Sequence, residues 1–171
     1  MTIILDDRSL DSLFRAAAPC RAWLDKPVGD AIIEAVWELA KLPPTSSGAF
    51  PARIAFIKSP EAKQRLLPAL AAQDRASTLA APVSAVLGYD AAAPAALRDA
   101  SLQAGYLILA ARALGLDCVP LALADAAQAD REFFPDGRVK SSFVCNLGHG
   151  DPDAPAERAT GPGFEEACRI I

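Results

Sequence analysis

The side chains able to do chemistry in this chain are few and scattered. There is one histidine, His149, in the run Asn146-Leu147-Gly148-His149-Gly150-Asp151. The four cysteines, Cys20, Cys118, Cys145 and Cys168, are far apart in sequence, and no two form a CxxC pair. With one imidazole to join them they do not make a zinc site, and the expectation is four isolated reduced thiols. A nucleophilic dyad built on His149 needs a partner at a spacing the sequence does not supply, so His149 is expected as a turn residue just past a strand. The one dense group of small polar residues is Pro44-Thr45-Ser46-Ser47-Gly48-Ala49-Phe50-Pro51, whose composition is that of a loop. No glycine-rich turn joins a strand to a helix as a dinucleotide-binding fold requires. Gly115-Leu116-Asp117 follows a helical pattern and reads as a cap, not a phosphate loop.

Composition narrows the class further. At 171 residues the chain is long enough for one domain, residues 1–171, with a substantial core. Apolar residues make up 52%, much of it alanine, and aromatics only 6%, which suits closely packed helices and argues against disorder. The formal charge of −4 and pI of about 5.0 leave no electrostatic footprint for nucleic acid. No apolar run reaches membrane-spanning length, and Asp6 and Asp7 stand where a signal peptide would be basic. The expectation is a cytoplasmic protein acting on a small-molecule substrate, with neither nucleic acid nor membrane as partner.

Periodicity supplies the elements that must position any site. A first helix is expected over about Ser9–Ala17, and a second starts near Asp30, read as its N-cap, and runs to the Pro43-Pro44 break. A strand over Arg53–Lys58 leads to a helix opened by Ser59-Pro60-Glu61 and bent near Pro68. A buried strand follows over Pro82–Gly88. The longest helical pattern spans about Pro94 to Leu114, ends at Gly115, and carries Ala104, Gly105, Ala110 and Ala111, small enough to let another helix close in. Then come a strand over Asp117–Leu123, a helix over Asp125–Phe134 and a strand over Ser142–Leu147. The fold class expected is α+β, a mixed β-sheet packed with helices around a long central helix.

Several segments, in this order, resemble the FMN-dependent nitroreductase family. They are Arg21-Ala22-Trp23 with Pro27-Val28, the stretch from Pro44 to Arg53, Leu79-Ala80-Ala81-Pro82-Val83, Ser101 to Ile108 followed by Ala113 to Asp117, and Asn146-Leu147-Gly148 with Gly150-Asp151. The ending Phe164-Glu165-Glu166-Ala167-Cys168 resembles the malonic semialdehyde reductase branch in particular. The resemblance implies a homodimer with FMN at each subunit interface, NAD(P)H as hydride donor, and a small aldehyde, enone, quinone or nitro compound as acceptor in ping-pong order. The cofactor carries the difficult chemistry in such proteins, so no acid–base constellation need appear in the sequence.

Carried over position by position, the resemblance implies the following site. Arg21 and the late Arg158 would bind the FMN phosphate, a task suited to a planar guanidinium. Pro44, Thr45, Ser46 and Gly48 match the loop that crosses to the flavin of the other subunit. Gly48 and Phe50 depart from the family pattern there, where an asparagine and a polar residue are usual. Asp74 and Ser77 stand where relatives commonly carry Asn and Lys, and both are read as a solvated helix end. Pro120, Leu121 and Ala122, followed by Leu123, match the strand lying along the isoalloxazine ring. The stretch between Gly88 and the long helix is shorter than in the relatives, which removes part of a cover over the site. A non-catalytic or flavin-free dimer of the same fold, acting as a binding or scaffold protein, is the alternative reading.

Overall fold

Strand β2 (Val83–Asp90) and strand β4 (Val139–Gly148) lie side by side at the middle of a four-stranded sheet. Strand β1 (Ala52–Ile57) flanks β2 and β3 (Asp117–Ala122) flanks β4, giving the order β1-β2-β4-β3. The computed structural model describes residues 4–17, 20–45, 48–154, 157 and 159–171. The helices are α1 (Asp7–Leu10, continuing as a wider turn over Asp11–Arg15), α2 (Asp30–Ala40), α3 (Pro60–Leu66), α4 (Arg75–Ala80), α5 (Ala96–Ala113), α6 (Ala126–Phe133) and α7 (Phe164–Ala167). None among the described residues is long and apolar enough to cross a membrane.

The α+β class and the central helix are as expected. The sheet, however, is not mixed. All three neighbouring pairs are antiparallel. Helix α5 does return the chain so that β3 runs parallel to β2, but β4 inserts between them and opposes both. That insertion is a long-range event with no local sequence signature.

Because side chains alternate along a strand, one sheet buries two cores. Val83, Ala85 and Leu87 of β2 and Cys145 and Leu147 of β4 pack with Ala104, Leu107, Ala110 and Ala111 of α5 and with Val36 and Ala40 of α2. On the other face Val86 and Val144 meet Ile57, Leu66, Ala69, Leu70 and Ala129. Of the small residues on α5, Ala104, Ala110 and Ala111 are buried and let α2 and the sheet close in, whereas Gly105 faces open space. Three buried polar residues pin α4 to the sheet: Ser84 Oγ donates to Asn146 Oδ1 at 2.7 Å, and Asn146 Nδ2 donates to Thr78 Oγ1 at 3.0 Å.

Local signals account for most element ends. Ser59 Oγ accepts from Ala62 N, Asp125 Oδ1 accepts from Gln128 N, and Leu67–Ala69 tighten into a 3-10 turn at Pro68. After α5, Gly115 takes φ +79°, and the Leu116 and Gly115 amides donate back to Ala111 and Arg112. This is a Schellman ending that needs glycine's left-handed backbone. Two boundaries differ from expectation. The first helix starts at Asp7 because Asp6 accepts from Ser9 N and caps it. The N-cap of α2 is Gly29, not Asp30, whose carboxylate is paired with Lys58 just past β1.

Candidate functional site

The two edges of the sheet carry the sequence-predicted residues. Segment 20–24 runs beside segment 149–154: Arg21 N donates to Ala154 O (3.1 Å), Asp151 N to Ala22 O (3.0 Å) and Leu24 N to His149 O (2.8 Å). The approach requires two glycines. A Cβ on Gly148 would lie 2.5 Å from Pro82 Cδ and 3.0 Å from Trp23 Cε3, and one on Gly150 would lie 2.8 Å from Cys20 Cβ. Gly150 N also donates to Asp117 Oδ2 at 2.8 Å, tying the segment to the first residue of β3. Arg21 is thereby fixed through its main chain at the Asp117 end of β3. Its side chain is exposed, and its guanidinium has no partner among the described residues.

Strand β3 itself pairs on one side only. Pro120, lacking an N–H, is suited to such an edge. Pro120 and Ala122 are exposed, while Leu121 packs against the second core. At its far end Leu123 bridges to Leu70, and Ala124 N and Asp125 N both donate to Ala69 O. Asp74 closes a short 3-10 turn, Ala72–Asp74, and precedes α4 without its side chain capping the helix. Arg75, next to it, donates from Nε and Nη2 to Leu70 O at 3.3 and 3.2 Å. Ser77 is not at a solvated end. It is half-buried and its Oγ accepts from Trp23 Nε1 at 3.4 Å.

An edge strand of six residues, open on one side and about 20 Å long at about 3.3 Å per residue, thus has an arginine at each end. Such a donor set suits an elongated ligand with a phosphate at one end and a planar ring able to accept hydrogen bonds at the other. Arg21, Pro120, Leu121 and Ala122 are brought to this edge, and Asp74 stands next to the Arg75 that binds Leu70 O at its far end. Arg75 is not among the residues the resemblance points to; its only sequence signal is a cation between positions 74 and 77.

The predicted loop lies elsewhere. It enters β1, at the opposite edge of the sheet, where Ala52 N donates to the buried Gln103 Oε1 at 3.0 Å and Arg53 Nη1 to Phe50 O at 2.8 Å. Pro44 is exposed, Thr45 half-buried, and Gly48 holds φ +66°. One chain does not bring these residues to the β3 edge. Ser46 and Arg158 fall outside the described residues.

Titration adds little chemistry here. Burial first, then the Asp117 carboxylate, pushes the Cys20 thiol up to about 11, so it is not a thiolate at neutral pH. His149 directly follows β4, as expected, but it lies in the segment that pairs with residues 20–24 and not in a turn. Burial and then Lys26 hold its imidazole below the ordinary value, while Asp117 and the Gly115 main chain act in the opposite sense.

Known proteins of similar sequence and structure agree with one another. No family model matches the chain. A protein of Burkholderia lata, provisionally named NADH dehydrogenase/NAD(P)H nitroreductase, is 42% identical over 191 positions covering 97% of this chain and 98% of the relative. The crystal structure of a provisionally named nitroreductase from Bacillus subtilis superposes with a TM-score of 0.85 at 15% identity, covering 97% of this chain and 100% of the other. An FMN-dependent nitroreductase from Clostridium difficile does so with a TM-score of 0.80 at 17% identity, covering 95% and 99%. Full-length similarity at this identity, on a shared fold, means that the chain belongs to the NAD(P)H nitroreductase family.

Proposed function

We propose that the protein is an FMN-dependent NAD(P)H oxidoreductase working as a homodimer. The observation that carries the reading is the β3 edge, a strand open on one side with, at each end, an arginine that meets no acid among the described residues. Arg21 would hold the phosphate. The main chain of Pro120, Leu121 and Ala122 would meet the ring. Asp74 would lie at the ring end, and Arg158 would join Arg21. When bound, the flavin supplies two-electron transfer between NAD(P)H and an acceptor. This chain's residues bind it, orient it and keep one face accessible.

The dimer follows from what one chain leaves undone. Pro44, Thr45, Ser46 and Gly48 belong to a loop at the β1 side, so they reach a β3 edge through the partner copy. An apolar surface suited to that pairing is present: Leu97, Leu102 and Tyr106 of α5 and Ile32 and Leu39 of α2 are all exposed. The named acceptor class is a small aldehyde, enone, quinone or nitro compound. The malonic semialdehyde preference has no support in the relatives' names, which specify nitroreductase. The relatives also carry at least about 20 positions that this 171-residue chain lacks. In this chain only residues 91–95 connect β2 to α5, so little covers the site.

The test is the visible spectrum of the purified protein, before and after incubation with FMN and desalting. A retained flavin band that bleaches with NADH or NADPH under anaerobic conditions is expected. A protein that stays colourless after reconstitution would leave the flavin-free reading standing in its place.

A further inference from the structure

Resting on the flavin reading above, we propose that Arg75 is the cation that stabilises the negative charge gained at the ring end of the β3 edge on reduction, a task for which position 77 has no charge to offer. Ser77 is neutral and already accepts from Trp23 Nε1. Arg75 stands two residues earlier. Its guanidinium is anchored by two N–H groups on Leu70 O, and Leu70 is the residue that bridges to Leu123 where β3 ends. The positive charge is therefore held beside the terminus of the strand along which the ring would lie. No acid pairs with it among the described residues.

The charge balance makes a cation useful at that point. NAD(P)H gives up two electrons and one proton and leaves as NAD(P)+, so a neutral ring ends with one net negative charge. The acceptor later takes the two electrons and that proton, with its second proton from solvent. A guanidinium close by favours the charged form over the neutral one, which shifts the reduction potential upward. Asp74, adjacent in sequence and without a cation partner among the described residues, acts in the opposite sense.

The experiment compares the FMN-loaded parent with Arg75→Gln and Arg75→Lys, measuring the dissociation constant for oxidised FMN and the two-electron midpoint potential. Arg75→Gln is expected to bind oxidised FMN within about threefold of the parent. It is also expected to favour the oxidised over the reduced cofactor about tenfold more than the parent does, a fall of about 30 mV. Arg75→Lys should recover most of that shift, because it keeps the charge. A potential unchanged in Arg75→Gln, with FMN still bound, would overturn the assignment of Arg75 and leave the flavin reading intact. A parent that cannot hold FMN would overturn both.

Discussion

The two edges of the sheet handle their cations in opposite ways. On the β1 edge Arg53 pairs with Asp90, which also receives Arg138, and Lys58 pairs with Asp30. These charges are neutralised within the chain and give an otherwise open strand a charged border that discourages pairing with a stranger. On the β3 edge Arg21 and Arg75 meet no acid among the described residues, and the exposed strand positions are Pro120 and Ala122. That difference in charge balance is what the proposed FMN site rests on, and it is open to test from either edge.

Both edges share the core on the α5 face of the sheet, so the largest effect breaks the comparison altogether. Leu107 is fully buried where α5 crosses the sheet. Leu107→Ala is expected to cost about 2–5 kcal/mol of stability, measured by urea denaturation. A loss below about 1 kcal/mol would mean that α5 is not the common support.

A sharper contrast comes from one arginine on each edge. Arg21→Ala removes a charge-assisted donor and is expected to weaken FMN binding about ten- to a hundredfold, with thermal stability nearly unchanged. Arg53→Ala should leave FMN affinity alone and cost at most about 1 kcal/mol of stability, as exposed ion pairs do. Equal losses of FMN affinity in the two variants, read by flavin fluorescence titration, would erase the distinction between the edges.

The β1 side also holds the one non-glycine residue with positive φ among the described residues, and a smaller effect is expected there. Asp90 N donates to Pro51 O where the strand ends, and the five residues that follow reach α5 only by placing Ala95 at φ +50°. A non-glycine residue in the left-handed region is held there at a cost of roughly 1 kcal/mol. Ala95→Gly relieves it but loosens the unfolded chain, so a net gain of at most about 0.5 kcal/mol is expected. A clear loss in the midpoint of thermal unfolding would show that the short connection is not strained.

What could be read from the sequence follows the range of the interactions. Helix α5 and its Gly115 ending, the Ser59 and Asp125 caps and the bend at Pro68 depend on neighbours within four residues, and all were legible. Asp30 misled because its partner, Lys58, lies on another element. The antiparallel sheet was hidden because β4 is the last strand made and goes to the middle. At the proposed site, matching one position at a time points to Arg21 and Asp74 and gives no reason to single out Arg75. The role proposed for Arg75 depends on a carbonyl at Leu70 that folding brings to the end of β3. Pro44, Thr45 and Gly48 lie outside helix and strand as the composition suggests, but whether they meet a β3 edge would be a property of two chains and not of one.

The smallest expected effect concerns pH, and it belongs to the β3 side. His149 sits in the segment that pairs with residues 20–24, and its folded-state imidazole lies below the ordinary value of 6.5, through burial and then Lys26. A base with a depressed folded value binds its proton more readily when unfolded. Its contribution to stability is therefore present above about pH 6.5 and declines as pH falls through the folded value, where the unfolded state takes up the proton first. The histidine is only half-buried, so solvent screens the effect and the slope should be shallow. His149→Gln is expected to flatten this part of the stability profile between pH 7 and 5, as read by urea midpoints. If the slope is the same in the variant, the acid sensitivity belongs to the carboxylates, and the segment that carries Arg21 keeps its place at low pH.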